Sequence, residues 1–172
     1  GAAAARTVDG RGAGRILDAA ELTVREATES DAALLLAWRN DAETLAWSRG
    51  HQPVAEPVHR AWLHASLANP DRLLLVVETD HPVGTVRFDR TGPGTWEVSI
   101  TVAPPNRGKG LSSRLLMMGE AALRARHGPA TIQANVHEDN ARSLALFHHA
   151  GYEKSARPAD GPFRWLEKPA HH

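Results

Sequence analysis

Midway along the chain stands Arg107-Gly108-Lys109-Gly110-Leu111-Ser112. Two glycines let backbone approach a ligand closely and adopt conformations that a Cβ forbids. At the start of a helix, free N–H groups point at one spot and the helix dipole favours an anion there. Arg107 and Lys109 add cationic side chains that reach phosphate. Taken alone, the same hexapeptide also fits a plain strand-to-helix turn. Glu97, in the stretch before this loop, is a carboxylate that can take a proton directly or through a water, only pair with a cation, or simply face solvent from a strand. Further on, Asn140, Ser143 and Phe147 fall at i, i+3 and i+7, one face of a helix. The ten histidines are scattered apart from His148-His149 and show no metal-ligand spacing, so no metal is expected.

Composition narrows the alternatives. The chain has 172 residues, enough for one domain with a core and short for two. It is 42% hydrophobic and 23% charged with zero formal net charge, which argues against a nucleic-acid partner. Without cysteine there is no disulfide, zinc–thiolate site or thiol nucleophile. No apolar run reaches membrane-spanning length, and the alanine-rich start lacks the features of a signal peptide. The expected location is cytoplasmic, with no membrane partner. Residues 1–20 are Ala-, Gly- and Arg-rich and read as a linker or the tail of a preceding domain. A folded domain is expected over 21–169 and a short tail over 170–172.

The elements that must position these residues follow from local pattern. Residues 22–25 alternate as a strand, and Thr28 or Ser30 can cap a helix over 31–40 with Leu34, Leu35 and Trp38 inward. A second helix is predicted over 58–67, before Asn69-Pro70-Asp71. Strands are predicted over 73–78, 83–89 and 95–102, the last two joined by the turn Gly92-Pro93-Gly94. A long helix runs from about 110 to 127 with Leu111, Leu115, Met118 and Ala122 on one face, stopped by Gly128-Pro129. A strand over 131–136, a helix begun by Asp139 or Asn140 and closed by Gly151, and one or two strands over 152–168 complete the chain. The expected class is α/β (α+β), with a mostly antiparallel mixed sheet of six to seven strands flanked by about four helices.

Three segments in order resemble the GNAT acetyltransferases, over about 22–168. Arg107 and Gly110 match the family's Arg/Gln-x-x-Gly-x-Gly/Ala loop, with Ser112 in place of the last small residue. The preceding Glu97-Val98-Ser99-Ile100-Thr101-Val102-Ala103-Pro104 is similar to the family's fourth strand. Asn140 to Phe147 followed by Gly151-Tyr152 is similar to its second cofactor motif. The resemblance implies acetyl-CoA as acetyl donor. Ile100, Thr101, Val102, Arg107, Gly108, Lys109, Gly110, Leu111, Ser112, Asn140, Ser143 and Phe147 would line its site. It implies direct attack of an amine on the thioester, with Glu97 at the position of the general base and an oxyanion met by a strand N–H near Val102. The family's tyrosine, which protonates the leaving thiolate, is Phe147 here. His148, Ser143 or water would substitute, or the thiolate departs unaided, a thiol pKa of about 8.5 making it a fair leaving group. Tyr152 reads as core.

The acceptor side carries a finer resemblance. Trp38-Arg39-Asn40-Asp41, Trp47-Ser48 and His59-Arg60-Ala61-Trp62 are similar to segments of the pseudaminic-acid pathway N-acetyltransferases. These acetylate a UDP-linked 4-amino-4,6-dideoxy sugar. On that resemblance Arg39 and His59 contact the nucleotide diphosphate, Asn40 is a further substrate residue and Arg87 lies near the acceptor, while Trp38 and Trp62 read as core. Val8 to Leu17 is similar to the closing segment of the nucleotide-sugar hydrolase of the same pathway, which suggests a covalent fusion. Family domains often dimerise, so a homodimer stays open. The competing acceptors are a protein N-terminus and an aminoglycoside, and a non-catalytic acyl-CoA-binding domain is the rival of another class.

Overall fold

The computed structural model describes residues 21–170. The Val8–Leu17 resemblance and most of the tail over 170–172 lie outside the described residues.

The chain runs β1 (Thr23–Glu26), α1 (Ala32–Arg39), α2 (Ala42–Trp47), α3 (Glu56–Leu67), β2 (Arg72–Glu78), β3 (Pro82–Gly92), β4 (Thr95–Val102), α4 (Leu111–His127), β5 (Thr131–His137), α5 (Ala141–His149), β6 (Glu153–Lys154) and β7 (Phe163–Lys168). The strands form one seven-stranded sheet in the order β1-β2-β3-β4-β5-β7-β6, antiparallel except for β4 beside β5. The expected fold class holds. Three details differ from expectation. The helix expected from residue 58 begins at Glu56, because Pro57 suits a first turn whose N–H groups have no helical acceptor. The strand expected to end at Asp89 continues to Gly92. The short helix α2 has no counterpart in the sequence pattern.

Alternation puts different chemistry on the two faces of the sheet. On one face Val86, Phe88, Val98, Ile132 and Ala134 pack beneath α4 and α5, with Leu115, Leu123, Phe147 and Tyr152 among the buried contacts. There α4 comes unusually close. A Cβ on Gly119 would lie 2.7 Å from Val86 Cγ1, and one on Gly84 would lie 2.3 Å from Leu115 Cδ2 and 2.7 Å from the Thr101 carbonyl oxygen. On the other face Leu74 and Val76 pack with Leu35, Trp38 and Leu63 of α1 and α3. Toward β4, β5 and β7 that second face becomes polar: Arg87, Asp89, Glu97, Ser99, Gln133, Asn135 and Glu167 follow one another in register.

The sheet splits where its pairing turns parallel. β4 and β5 pair from Thr95↔Thr131 to Val98↔Ala134. Beyond that β4 continues to Val102 and β5 to His137 without pairing to each other. The Ala103 N–H donates to the Val83 carbonyl at 2.8 Å, on the β3 side. By alternation the backbone groups of Ile100 and Val102 face away from β3, into the wedge.

Candidate active site

The wedge ends at the glycine loop. Gly108 (φ 76°) and Gly110 (φ 71°) are left-handed, conformations costly for any residue with a Cβ, and the space beyond their Cα atoms is open. Gly110 is the N-cap of α4, so the first N–H groups of a 17-residue helix emerge there. Leu111, 3% exposed, anchors that first turn in the core, while Ser112 is half-buried and Lys109 exposed. Unpaired strand backbone, a helix N-terminus and a cradle without Cβ atoms suit a ligand with an amide-bearing arm and a pyrophosphate.

Arg107 is engaged elsewhere. Its guanidinium donates to Asp41 Oδ2 at 2.7 Å and to Thr44 Oγ1 at 3.2 Å, and lies 3.8 Å from Glu43. Glu43 also lies 3.7 Å from Arg142 on α5. So α2 bridges the loop before α4 and the first turn of α5, one on each side of the wedge. Burial pushes the Asp41 carboxyl up, but the bonds from Arg107 and the Thr44 N–H outweigh it and hold the pKa below the usual range.

The α5 residues divide. Asn140 Oδ1 accepts from the Ser143 N–H at 3.2 Å and caps the helix. Phe147, 4% exposed, packs edge-on against Tyr152 with ring centroids 5.0 Å apart. His148 is exposed in the last turn, about 100° around the helix from Phe147. Tyr152 is core, as expected: fully buried, it donates to Glu120 Oε2 at 2.6 Å, while Lys168 donates to Glu120 Oε1 at 2.8 Å.

Glu97 and Arg87, both expected near the acceptor, stand on the polar face. Glu97 is half-buried and stands directly across from Asp89 of β3. Desolvation raises its pKa, the Asp89 charge raises it further, and Arg87, Arg157 and Arg49 oppose both. Arg87 donates to Asp89 Oδ2 at 3.1 Å and Ser99 Oγ at 3.4 Å. Around them, Arg157 stacks over Trp165 at 3.6 Å and donates to Gln133 at 3.1 Å. Arg49 lies over Phe163 at 4.4 Å and pairs with Asp160 at 2.7 Å. His137 sits between Trp47 and Phe163 with centroids 5.4 Å and 5.3 Å away.

Three of the four residues assigned to the acceptor form one chain of neighbours. The Trp62 ring lies 5.5 Å from His59 and 5.7 Å from the Arg87 guanidinium. His59 is buried, and burial followed by the nearby Arg39 charge lowers its pKa, so the ring is neutral at pH 7. Arg39 Nη1 is buried with no hydrogen-bond partner among the described residues. Asn40 stands apart: its side chain donates to the Val54 carbonyl at 2.9 Å and accepts from the Val54 N–H at 2.7 Å, tying down the loop before α3. Asn40 and His59 also line a recess of about 460 Å³ between α1 and α3, whose walls include nothing from β4 or β5. Trp47 stood in a segment the sequence singled out, but the pattern gave no sign of Arg49, Arg157 or Trp165; Asp89 was accessible from the period-2 register across the Gly92-Pro93-Gly94 turn. No group of three or more His, Asp or Glu converges as a metal site among the described residues, and no helix there is long and apolar enough to cross a membrane.

A split sheet with a glycine-cradled helix start and a carboxylate beside the split defines a class. The chain belongs to the GNAT acetyltransferase family, whose acetyltransferase (GNAT) domain matches residues 21–153. It is accordingly an acetyl-CoA-dependent N-acetyltransferase. No curated protein matches the sequence. Among solved structures, the ribosomal-protein-alanine N-acetyltransferase from Brucella melitensis is 27% identical, with 86% of this chain and 99% of that chain covered at a TM-score of 0.71. The spermidine N-acetyltransferase from Vibrio cholerae, in complex with CoA and spermine, is 15% identical over 87% of this chain and 96% of that one, at 0.77. An aminoglycoside acetyltransferase in complex with coenzyme A is 19% identical over 86% and 94%, at 0.73.

Proposed function

We propose that the acceptor is the amine of a nucleotide-linked amino sugar of the UDP-4-amino-4,6-dideoxy type, and that Glu97 takes its proton. The amine nitrogen bonds to the acetyl carbon, the carbon–sulfur bond breaks, and the sulfur leaves as coenzyme A thiolate. The proton lost by the amine passes to Glu97 directly or through a water. The backbone of Ile100 and Val102 holds the pantetheine arm, while that of Thr101 between them is turned to β3. The loop from Arg107 to Ser112 holds the pyrophosphate, and Asn140, Ser143 and Phe147 complete the wall. A carboxylate with a raised pKa is a stronger base than an exposed one, and its place beside the wedge suits proton removal.

The observation that carries the acceptor assignment is Arg39. A buried guanidinium N–H without a partner is costly, and a phosphate oxygen would satisfy it. His59, Trp62 and Arg87 continue from it toward Glu97, a path of cation, rings and cation that fits a nucleotide diphosphate joined to a sugar. A second reading takes a protein N-terminus as acceptor, favoured by the 27% identity to the ribosomal-protein-alanine enzyme.

The test is thiol release from acetyl-CoA with a UDP-4-amino-4,6-dideoxy sugar, a peptide with N-terminal alanine, an aminoglycoside and spermidine. Turnover on the sugar, lost in Arg39→Ala and His59→Ala, supports the assignment. Turnover on the peptide alone moves the acceptor to a protein. Coenzyme A binding with no turnover on any amine supports a non-catalytic domain.

A further inference from the structure

Asn135 lies on β5 one residue past Ala134, the last to pair with β4. Its neighbours Ala134 and Val136 point into the core beneath α4 and α5. Asn135 therefore belongs to the polar face, with Gln133 on one side and Trp165 of β7 opposite. Glu97 pairs with Gln133, so Asn135 stands two residues further along β5, its Cα about 8 Å from that of Glu97 by strand spacing and rise. The Asn135 Oδ1 is buried and takes no hydrogen bond from any described residue. The other buried side-chain atoms in that condition are guanidinium nitrogens of Arg39 and Arg124, so Asn135 supplies the one orphaned acceptor among them.

A buried acceptor at the apex of the wedge calls for an N–H donor. Resting on the acetyl-transfer reading above, we infer that Asn135 positions the attacking amine by accepting one of its N–H bonds. A primary ammonium at this place carries three protons. One goes to Glu97 as the lone pair forms, one is held by Asn135 Oδ1 and stays on the product amide, and the third passes to the departing coenzyme A thiolate after the carbon–nitrogen bond has formed. Holding one N–H fixes where the lone pair points, which is what bond formation with the thioester carbon requires. Asn135 itself neither gains nor loses a proton, so it is a positioning and specificity residue. It favours primary amines, which keep the held N–H in the product amide, over secondary ones, which must give up their only N–H.

The probe is whichever of the four amines named above the native chain turns over fastest. Asn135→Leu keeps the approximate shape and removes the acceptor. Losing one such bond is worth roughly ten- to a hundredfold in rate. The expected result is a loss of that size in kcat/KM, carried mainly by kcat, with coenzyme A affinity unchanged and Tm equal or higher, because no protein donor is orphaned. Asn135→Asp keeps an acceptor oxygen, so it recovers most of the rate, and its charge moves the acid limb of the pH profile upward by raising the Glu97 pKa. Native kcat/KM in Asn135→Leu overturns the inference, as does a parallel fall in Tm and coenzyme A affinity, which would mark a structural role. If the native chain acetylates none of the amines, the acetyl-transfer reading fails first and this inference with it.

Discussion

Replacing Asp41 with Asn removes the charge that holds Arg107 but keeps an oxygen that can cap α2. The two side chains are 21% and 22% exposed, so the pair is neither freely solvated nor fully buried. A hydrogen bond between charged groups of this kind contributes about 1.5–3 kcal/mol. Thr44 and Glu43 still contact the guanidinium after the change, so roughly half of that, about 1.4 kcal/mol, is released. If Arg107 must leave Asp41 to meet the pyrophosphate, the released free energy appears as affinity, about tenfold tighter binding. Asn caps a helix as well as Asp does, so Tm should barely move. Asp41→Ala should bind as tightly but lose about 1 kcal/mol of stability with the cap. Titration calorimetry with coenzyme A on the native chain, Asp41→Asn, Asp41→Ala and Arg107→Ala reads all of this. Unchanged or weaker binding in Asp41→Asn, with Tm retained, refutes the reasoning. Arg107 would then be a strut for α2, with the pyrophosphate held by the loop's N–H groups.

Other perturbations bear on the remaining parts of the site and fold. Glu97→Gln should lower kcat about a hundredfold or more and flatten the acid limb of the rate profile, read by thiol release across pH. Because the raised pKa delays deprotonation, the native rate should still be climbing above the ordinary carboxylate range. Asp89→Asn removes a like charge and frees Arg87 toward Glu97, so the limb should move to lower pH, and a shift upward would contradict the assigned cause. Tyr152→Phe takes a donor from the buried Glu120 carboxylate and should cost about 1–3 kcal/mol, seen as a lower urea midpoint with unchanged coenzyme A affinity. Gly84→Ala would drive a Cβ into Leu115 and the Thr101 carbonyl, and should cost about 1–3 kcal/mol while weakening acetyl-CoA binding through distortion of β4.

The order of strands and helices is legible because each long element carries its own period. Residues 111–127 repeat apolar side chains at helical spacing, and 131–137 alternate cleanly between core and polar face. The glycine loop is legible for a different reason: left-handed backbone at residues 108 and 110 demands glycine. By contrast α2 is six residues long, too short for periodicity to speak. It is held by its Asp41 cap and by Arg107, which is 66 positions away. The cluster of rings and cations beyond Glu97 fails to show for the same reason. Arg49 meets Phe163, and Arg157 meets Trp165, only because β7 returns antiparallel beside β5. Asn140 reads as a cofactor residue by resemblance, yet its side chain caps its own helix, and a cap cannot be told from a ligand by residue type alone.

Strand backbone left unpaired is ordinarily a hazard, because a neighbouring molecule can extend the sheet through it. The free stretch of β4 lies instead in the interior of the sheet, with β3 bonded along one side and β5 diverging on the other. Another protein's strand would have to enter between two strands already joined at their base, and it would meet β5 before it could run the length of β4. A narrow flexible arm meets no such obstacle. The split thus offers hydrogen bonds to a slender ligand while denying them to a second copy of the chain. A substitution that separated β4 from β5 along their whole length would be expected first to show itself as aggregation.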